Sequence, residues 1–552
     1  MTNLEMTGYA EVFSRALVGL EAPEVRVEVD ISNGLPACHL VGLPEAEVRE
    51  SRERVRSAIQ HSGFEFPNRR ITINLAPADL PKNSGRFDLP IAVGVLVASG
   101  QIASEQAAVL LKSHEFVGEL SLSGIIQPIL GGMALALAHE RSARQNSSAI
   151  LSLSATSSRS AESRTLLLPA GHGAEVRALQ AQIKRSGPYS PKIALLRNLS
   201  EVAAWLNAQL ALEAIQNIDQ QQLLHLPPTA TETALDLADV KGQTMAKRAL
   251  EVAAAGQHSM MLIGSPGVGK SMLAQRLPGL LPEPDPQESL DRAAMLSLRG
   301  MLPTHALGDV FLRPAFRSPH HSASVAAIVG GGNPPKPGEI SLAHGGVLFL
   351  DELAEFRRGA LEALREPLEA HKVLISRSTR QSEFPARFQL IAAMNPCPCG
   401  YLGHYSNRCR CTPERISSYQ MRVSGPLLDR IDLHIHVPTV SEAELLNNTK
   451  ERNESSHDVA IRVAHARVRQ LARQGKSNAM LTPAQVNEHC DLSVEVSHFL
   501  QQVIAKLGWS GRSIHRVLKV ARTIADLQGV NDIDKSHVAE AVQWRRALNG
   551  AS

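Results

Sequence analysis

The sequence predicts an α/β core with a parallel sheet, preceded by an α+β region and followed by a mostly helical region. Three observations predict this order. The first 205 or so residues mix short strand candidates such as "VRVEVDIS" with helical runs. From about residue 236 to 437, apolar strands alternate with helical stretches, the pattern of a parallel α/β sheet. After "VPTVSEAEL" the pattern is mostly helical. The length of 552 residues allows about two to four domains.

Changes in composition indicate the boundaries between these regions. The stretch "NIDQQQLLHLPPTATETALDL" is polar and contains two adjacent prolines, so we interpret it as a linker. We expect an N-terminal domain over residues 1–205, the linker over 206–235, the α/β core over 236–440 with a cysteine-rich loop at 396–412, and a helical domain over 441–552.

Charge and composition predict a soluble, cytoplasmic protein. The net charge is +3 and aromatic residues make up 4%, so affinity for nucleic acid must come from local basic patches. No apolar run approaches the roughly 20 residues of a membrane helix, and the N-terminus lacks the layout of a signal peptide, so we expect no membrane contact. Six cysteines without an export signal favour a reducing compartment, where clustered thiols more often hold metal than form disulfides.

The strongest chemical signal is the stretch "MMLIGSPGVGKSML", which contains a G-x-x-x-x-G-K-[ST] phosphate loop between a strand-like and a helical run. Glycines allow backbone N–H groups to curl around phosphate oxygens at the start of a helix. Lys270 would reach the β- and γ-phosphates of ATP, and the Ser271 hydroxyl would hold Mg²⁺. The alternative is a glycine-rich turn beside a surface lysine. The predicted nucleotide-binding residues here are Gly264, Pro266, Gly267, Gly269, Lys270, Ser271 and Met272.

A second signal is the stretch "GGVLFLDELAEF", about eighty residues further along the chain. A continuous apolar run that ends in two carboxylates indicates a central strand, which delivers Asp351 and Glu352 to the carboxyl edge of the sheet. Asp351 would position Mg²⁺, and Glu352 would orient or deprotonate the attacking water. Many buried strands end in a carboxylate, so this interpretation depends on the phosphate loop that precedes it.

Further polar positions suggest an ATPase of the AAA+ class. Asn395 ends the apolar run "LIAAMN", where its amide could contact the γ-phosphate or the attacking water. Arg430 follows an apolar stretch, at the position where ring-forming ATPases place an arginine that reaches the neighbouring subunit's γ-phosphate. The structural alternative for Arg430 is a salt bridge to Asp429 or Asp432.

A second arginine candidate, Arg512, lies in the helical stretch "SGRSIHRVLKVARTIADL". One face of this helix carries Arg512, Arg516 and Lys519, so the helix could direct a cation at bound nucleotide. A solvated basic face is the alternative. The opposite, apolar face consists of Ile514, Val517, Leu518, Ala521 and Ile524.

The region from about 236 to 552 resembles the ComM (YifB) family, in the magnesium-chelatase-type branch of AAA+ proteins. The resemblance rests on "SPGVGKSML", "LREPLEAHKVLISR", "AAMNPCPCG", "SGPLLDRIDL" and the long block "FRSPHHSASVAAIVGGGNPPKPGEISLAHGGVLFLDELAEF". It implies a homo-hexameric ring that binds ATP between subunits and handles branched, single-stranded and double-stranded DNA. It also implies a helicase that drives branch migration during recombination and natural transformation, with recombination proteins as further partners.

The N-terminal third is similar to this family's α+β domain related to the Lon protease (S5-type) fold, through stretches such as "ITINLAPADLPKNSGRFDLPIAVGVL". A Lon-type protease needs a serine nucleophile and a lysine that activates it. The local pattern places Arg86 at the position of the nucleophile and Ala134 at that of the lysine. Ser84 is two residues away and has no obvious base. We therefore expect a non-proteolytic domain.

The stretch "NPCPCGYLGHYSNRCRC" concentrates four of the six cysteines as two C-x-C pairs separated by nine residues. Four thiolates can wrap one tetrahedral Zn²⁺, and such a closed site is structural because no position remains for water or substrate. Each pair is tighter than the usual C-x-x-C knuckle, so redox-active pairs and unligated thiols remain alternatives, with His404 as a further ligand candidate. We expect Cys38 and Cys490 to be ordinary buried residues. The predicted zinc ligands are Cys397, Cys399, Cys409 and Cys411.

Basic residues that could contact DNA phosphates occur in three stretches. "HKVLISRSTRQSEFPARF" could form a hairpin, "SPHHSASVAAIVGGGNPPKPG" is an insertion, and "AIRVAHARVRQLARQGK" is a helix. For each stretch, a solvated charged face is an equal alternative. The residues concerned are Lys372, Arg377 and Arg380 near the expected hairpin tip, His320, His321 and Lys336 in the insertion, and Arg462, Arg469 and Arg473 on the helix. We select Lys336, Arg377 and Arg380 as the DNA candidates.

Three other functions fit parts of the sequence. A chelatase-like motor that inserts Mg²⁺ into a porphyrin would need partner subunits, and the cysteine loop and N-terminal domain argue against it. A protein-remodelling or proteolytic AAA+ machine is the natural expectation from a Lon-like domain, but Arg86 and Ala134 disfavour it. The third is a scaffold whose ATP switch only controls assembly. We expect an ATP-driven DNA motor instead.

Overall fold

The structure is a computed structural model that describes two large sheets and a helical C-terminal region. Residues 213–234, most of the predicted linker, lie outside the described part of the chain. Among the described residues, no helix is long and apolar enough to cross a membrane. The described residues are 8–42, 46–80, 82, 85–152, 164–186, 192–212, 235–303, 306–377, 380–404, 408–440 and 454–545.

A seven-stranded mixed sheet forms the N-terminal third. Its strands are β1 Tyr9–Arg15, β2 Glu24–Ser32, β3 Ala37–Val41, β4 Arg70–Ala76, β5 His114–Phe116, β8 Thr165–Pro169 and β9 Ile193–Leu196, and β6 Glu119–Leu120 pairs with β7 Ile126–Gln127 in a small hairpin. The strand order is β3-β4-β2-β1-β5-β8-β9. In β2, Val25, Val27 and Val29 are buried at alternate positions, so one face of the strand packs into the core.

Helices cover this sheet. The most apolar of them, α2, contributes Leu89, Val93 and Leu96 to the same hydrophobic cluster as Val27 of β2. The helices of this region are α1 Ala46–His61, α2 Asp88–Ala98, α3 Glu105–Ser113, α4 Gly132–Ser152, α5 Gly173–Ser186 and α6 Leu199–Leu206.

The central region contains a five-stranded parallel sheet with the order β11-β14-β17-β10-β18. Its strands are β10 Met260–Ile263, β11 Phe316–Arg317, β14 Gly346–Leu350, β17 Phe388–Met394 and β18 Leu433–His436. All residues of β10 and β14 are buried, as expected for a parallel sheet that is covered on both faces. Since the strands are parallel, the residues that follow them lie along one edge of the sheet.

The central region also contains two hairpins. One consists of β12 Gly330–Gly331 and β13 Lys336–Pro337, and the other of β15 Lys372–Arg377 and β16 Arg380–Pro385. The helices here are α7 Thr244–Gly256, α8 Lys270–Arg276, α9 Pro286–Leu298, α10 Leu307–Leu312, α11 Val325–Val329, α12 Glu339–Leu342, α13 Arg358–Glu362, α14 Pro367–Ala370, α15 Pro413–Gln420 and α16 Gly425–Leu428.

The C-terminal region is helical and shares a hydrophobic cluster with the central sheet and α7. Its helices are α17 Ser456–Gln474, α18 Pro483–His489, α19 Val494–Leu507, α20 Gly511–Gln528 and α21 Lys535–Gln543. The predicted apolar face of α20 is confirmed, because Val517, Leu518, Ala521 and Ile524 are buried in this cluster and Ile514 packs against it.

The N-terminal and central regions also share a hydrophobic cluster. Helix α4 packs against helix α9, and Met133 of α4 is buried together with Leu290 and Ala293 of α9. The Met133 backbone N–H donates to the Ser297 hydroxyl over 3.2 Å. The two regions are therefore joined by a packed interface as well as by the chain that connects them.

Candidate nucleotide-binding site

The phosphate loop connects β10 to α8 and bends at two glycines. Gly267 has φ +79° and Gly269 has φ +92°, a left-handed conformation that glycine adopts without a steric penalty. Gly264 starts the loop where the backbone of Val437 comes close: a Cβ at Gly264 would lie 2.5 Å from the Val437 carbonyl oxygen. The side chain of Met272 covers the loop on one side, with its Cε 3.0 Å from where a Cβ of Gly269 would stand.

The Lys270 ammonium group points into this loop. Its Nζ donates to the carbonyl oxygens of Gly264 and Ser265 over 2.7 and 3.0 Å, and to Asn395 Oδ1 over 3.0 Å. Burial lowers the pKa of Lys270, while the carboxylates of Asp351 and Glu352 act in the opposite direction. Asn395 directly follows β17. Since β17 lies beside β10 in the sheet, the Asn395 amide comes within hydrogen-bonding distance of Lys270.

Ser271 and Asp351 meet at the same edge of the sheet. The Ser271 hydroxyl donates to Asp351 Oδ2 over 2.5 Å, and Asp351 Oδ1 accepts the backbone N–H of Glu352 over 2.9 Å. A hydroxyl and a carboxylate side by side are oxygen ligands of the kind that Mg²⁺ accepts, usually together with waters and substrate phosphates. The donor set therefore fits the predicted magnesium site.

Glu352 has an unusual backbone conformation and a partner that the sequence pattern does not predict. Its φ is +52°, and 55% of its side chain is exposed. Its Oε2 lies 3.0 Å from Nδ1 of His321, which belongs to the insertion that the sequence suggests only for DNA contact. The sequence carries almost no signal for this partner, because the strand β11 that places His321 next to β14 consists of only the pair "FR".

The four clustered cysteines come together as predicted. Cys397 Sγ lies 3.3 Å from Cys399 Sγ and 3.7 Å from Cys409 Sγ, and all four ligand atoms, including that of Cys411, lie within 4.8 Å of one another. Tetrahedral zinc with Zn–S bonds of about 2.3 Å would hold its sulfurs about 3.8 Å apart. The thiols fit a single zinc ion, and the distances are too long for disulfides. His404 stacks edge-on against Tyr401, and the group of candidate ligands among the described residues consists of the four cysteines.

The cysteine loop packs directly on the phosphate loop. Gly400 lies against Pro266 of the phosphate loop, and a Cβ at Gly400 would stand 2.5 Å from Pro266 Cδ. The Gln420 amide of α15 donates to the Pro396 carbonyl over 3.0 Å. Burial raises the pKa of Tyr419 to about 12, while a hydrogen bond with the Asn395 backbone acts in the opposite direction. Two adjacent residues of α15 thus contact the backbone of Asn395 and Pro396.

Arg430 does not pair with Asp429 or Asp432, the two salt-bridge partners that the sequence suggested as an alternative to a role in catalysis. Its Nη2 lies 2.9 Å from Glu369 Oε1, and its Nη1 donates to the Pro426 carbonyl over 2.7 Å. The side chain is 11% exposed and lines a shallow groove of about 500 Å³. Asp432 pairs with Arg516 and His258 instead, and Asp429 lies 3.7 Å from Arg545.

The basic face of α20 is divided between exposed and internal groups. Arg512 is exposed in the first turn. Arg516 Nη1 lies 2.5 Å from Asp432 Oδ1 and donates to the Arg430 carbonyl over 2.9 Å, and Lys519 donates to the Ala479 carbonyl. Burial opposes ionisation of Asp432, but Arg516 and then His258 hold its pKa below the usual value. The solvated basic face is therefore a wrong interpretation for Arg516 and Lys519.

Two of the three selected DNA candidates close one hairpin. Arg377 faces Arg380 in the register of β15 and β16, and their side chains lie outside the described part of the structure. Lys336 is exposed on β13 of the other hairpin. The two hairpins adjoin, since a Cβ at Gly330 of β12 would lie 2.6 Å from Ile375 of β15.

Other basic residues in these stretches have partners within the protein. Lys372 lies at the base of its hairpin rather than near the tip, and its Nζ is 2.9 Å from Glu383. On α17, Arg462 pairs with Glu251. Arg473 pairs with the buried Asp526 at 2.7 Å. Arg469 donates to Asn531 Oδ1 over 2.9 Å, so all three candidate arginines of α17 have partners within the protein.

In the N-terminal region, the two positions compared with a protease dyad are both buried. Arg86 is 4% exposed and donates to the Leu130 carbonyl over 3.5 Å, just before the helix α4 that carries Ala134. Ser84 lies outside the described residues. A guanidinium and a methyl group at the two compared positions supply neither a nucleophile nor a base.

Comparisons with known proteins give matches along most of the chain. The family model described as magnesium chelatase, subunit ChlI, matches residues 236–445. The model described as subunit ChlI of Mg-chelatase matches residues 27–153, and the model of the ChlI C-terminal part matches residues 453–545.

Among curated proteins, the chain is 44% identical over 537 residues to Competence protein ComM from Haemophilus influenzae, and the match covers 97% of each chain. It is 44% identical to a protein named YifB from Salmonella typhimurium, with 97% of each chain covered. It is 43% identical to YifB from Escherichia coli, with 97% of this chain and 96% of the relative covered. The chain therefore belongs to the ComM (YifB) family, which is built on AAA+ domains of the magnesium chelatase ChlI type.

Proposed function

We propose that this protein is a cytoplasmic, ATP-driven, homo-hexameric DNA motor that drives branch migration during recombination and natural transformation. The observation that carries the ATPase part is the convergence of Lys270, Ser271, Asp351 and Asn395 at one edge of the parallel sheet. The AAA+ membership of the family supports ATP hydrolysis in a ring. The name of the relative from Haemophilus influenzae, a competence protein, supports a role in natural transformation.

Each residue of the site has a role in this proposal. Lys270 would exchange its carbonyl partners for the β- and γ-phosphate oxygens of ATP, while Asn395 would contact the γ-phosphate. Ser271 and Asp351 would hold Mg²⁺, which when bound neutralises charge on the phosphates. Glu352 would accept the proton of the attacking water. Gly264, Pro266, Gly267, Gly269 and Met272 would shape the loop around the nucleotide.

Two arginines complete the proposed site. Arg430 would act in trans, on the nucleotide of the neighbouring subunit, and Arg512 would act within one subunit. The groove that Arg430 lines supports this, because it opens to the surface where a second subunit could dock. Glu369 would hold the guanidinium in place until then.

The domain assignments belong to the same proposal. Residues 1–205 would form a non-proteolytic Lon-like (S5-type) domain, 206–235 a linker, 236–440 the AAA+ core with the zinc loop at 396–412, and 441–552 a helical lid. Cys397, Cys399, Cys409 and Cys411 would hold a structural Zn²⁺, because four thiolates leave no position for a substrate.

DNA would be contacted through its phosphates. Lys336, Arg377 and Arg380 belong to two adjoining hairpins, so their charges would follow a single strand or a duplex without reading the bases. Such contact predicts affinity that falls steeply with salt. Other recombination proteins would be the further partners of the motor.

One experiment tests the proposal directly. ATP hydrolysis by the purified protein is measured with and without a four-way DNA junction, and movement of the junction is followed with labelled strands. We expect DNA to stimulate hydrolysis and ATP to drive movement. Glu352→Gln should bind ATP and assemble but lose turnover, and Lys270→Ala should lose ATP binding.

The outcomes also separate the alternatives. Stimulation by an unfolded protein but not by DNA would favour a protein remodeller. Hydrolysis that depends on added chelatase-type partner subunits would favour a chelatase-like motor. Assembly upon ATP binding without junction movement would favour a scaffold. Normal turnover by Glu352→Gln would refute the assigned role of this carboxylate.

A further inference from the structure

His321 and Glu352 are brought together by two neighbouring parallel strands. In β11 and β14, Phe316 pairs with Val347 and Arg317 with Leu348. The chain leaves both strands at the carboxyl edge of the sheet, where Glu352 is the second residue after β14 and His321 the fourth after β11. The topology of the sheet, rather than proximity in sequence, therefore places the histidine beside the carboxylate.

The contact joins one oxygen of the carboxylate to the imidazole. Nδ1 of His321 lies 3.0 Å from Oε2 of Glu352, a distance at which a proton on Nδ1 makes a charge-assisted hydrogen bond. Both side chains are accessible, with 35% of His321 and 55% of Glu352 exposed. Glutamate has three side-chain torsions, so an exposed glutamate without a partner samples several rotamers.

The segment that carries His321 is anchored at both ends. At its start, the guanidinium of Arg317 forms two hydrogen bonds with the Glu339 carboxylate, of 2.7 and 2.9 Å. At its end, the Ser324 hydroxyl accepts the N–H of Ala327 over 3.2 Å and caps α11. His321 thus has a defined position from which it can act on its partner.

We propose that His321 is a positioning residue for Glu352 in ATP hydrolysis. This inference rests on the proposed function, in which Glu352 is the base. The imidazole holds Oε2 and fixes the plane of the carboxylate, which leaves Oε1 to accept the proton of the attacking water. Since a general base must lie within hydrogen-bonding reach of the proton that it takes, fixing the carboxylate raises turnover without changing ATP binding.

The first test compares substitutions at position 321. His321→Ala should lower kcat about tenfold with little change in KM, because only the orientation of the base is lost. His321→Asn places an amide N–H where Nδ1 was and should recover most of kcat. His39→Ala is the control, since His39 is an exposed histidine on β3 of the N-terminal sheet and belongs to neither the candidate site nor the DNA candidates. It should turn over ATP like the unmodified protein.

Binding of a fluorescent ATP analogue and light scattering of the assembled protein show whether each variant is intact. Unchanged or increased kcat in an intact His321→Ala protein would overturn the proposal. Equal losses in His321→Ala and His321→Asn would also overturn it, because a role in packing alone does not depend on the donor atom.

A double substitution separates this inference from the proposed function. In the Glu352→Gln background, His321→Ala should cause no further loss of turnover, since both changes act through one carboxylate. If Glu352→Gln hydrolyses ATP normally, Glu352 is not the base and this part of the proposed function fails, whatever result His321→Ala gives. If Glu352→Gln is inactive while His321→Ala and the unmodified protein have the same kcat, only the role of His321 fails.

Discussion

Gly400 of the cysteine loop lies against Pro266 of the phosphate loop, so closely that no side chain fits between them. A Cβ at Gly400 would stand 2.5 Å from Pro266 Cδ and 3.7 Å from Asn395 Cγ. The φ of Gly400 is +81°. The cysteine loop is therefore one wall of the candidate nucleotide site, and changes in the loop should reach the phosphate loop through this contact.

Gly400→Ala should impair ATP binding and turnover. The new methyl group would displace the phosphate loop, and a displacement of about 1 Å in a site can cost about a hundredfold in activity. The alanine also adds about 1–2 kcal/mol of backbone strain at positive φ. Gly403→Ala is the matched control, because Gly403 has φ +76° but a Cβ there would meet nothing within 4 Å. Titration with a fluorescent ATP analogue measures the difference. Equal affinities in the two variants would contradict the prediction.

The cysteine cluster should hold about one zinc ion per chain, and its removal should lower both thermal stability and ATPase activity. Cys397→Ser should reduce the zinc content, because it removes one of four ligands. Elemental analysis, thermal unfolding and ATPase assays measure these effects. Cys38→Ser is the control, since Cys38 lies on β3, apart from the cluster, and should leave zinc in place. Full activity in a protein shown to be free of zinc would refute the supporting role.

Arg430→Ala should be inactive alone and partly recovered in mixed rings. Protomers with Lys270→Ala lose their own ATP site but still supply Arg430 to a neighbour whose phosphate loop is intact. Mixing the two inactive variants should therefore restore part of the ATPase activity, as measured over a range of mixing ratios. Mass spectrometry of the assembled rings must show that the variants mix. Mixed rings without activity would contradict a role in trans.

The hairpin β15/β16 should contribute to DNA affinity through Arg377 and Arg380. Replacing both with alanine should weaken binding of all sequences alike and reduce the slope of log affinity against log salt by about 1 to 2, as expected for two phosphate contacts. Lys372→Ala is the control on the same hairpin, because this lysine pairs with Glu383. Fluorescence anisotropy at several salt concentrations gives the slopes. An unchanged slope in the double variant would exclude the hairpin as a contact.

The parts of the candidate site that the sequence could predict are those whose geometry depends on short, continuous stretches of residues. Three such stretches are the loop that contains Lys270, the strand that directly precedes Asp351, and the two cysteine pairs. The geometry of each depends on a few neighbouring residues. A glycine-rich turn between a strand and a helix places its lysine at the start of that helix, and four thiols within fifteen residues readily converge.

The parts that could not be predicted depend on the order of the strands and on distant partners. His321 meets Glu352 because β11 is the neighbour of β14, and a two-residue strand leaves almost no periodic pattern in the sequence. Glu369 is the partner of Arg430, although two aspartates lie closer in sequence. Arg516 pairs with Asp432, which lies 84 positions earlier in the chain. Such ion pairs arise from the packing of whole regions.

The packing of α4 against α9 has a consequence for the mechanics of the protein. A hydrophobic cluster that includes Met133 and Leu290 connects the two regions independently of residues 213–234. If a protease site were introduced and cut within that stretch, the two halves should remain together as a non-covalent pair. The N-terminal region would then follow movements of the central region through this interface, and size-exclusion chromatography of the cut protein should show both halves in one species.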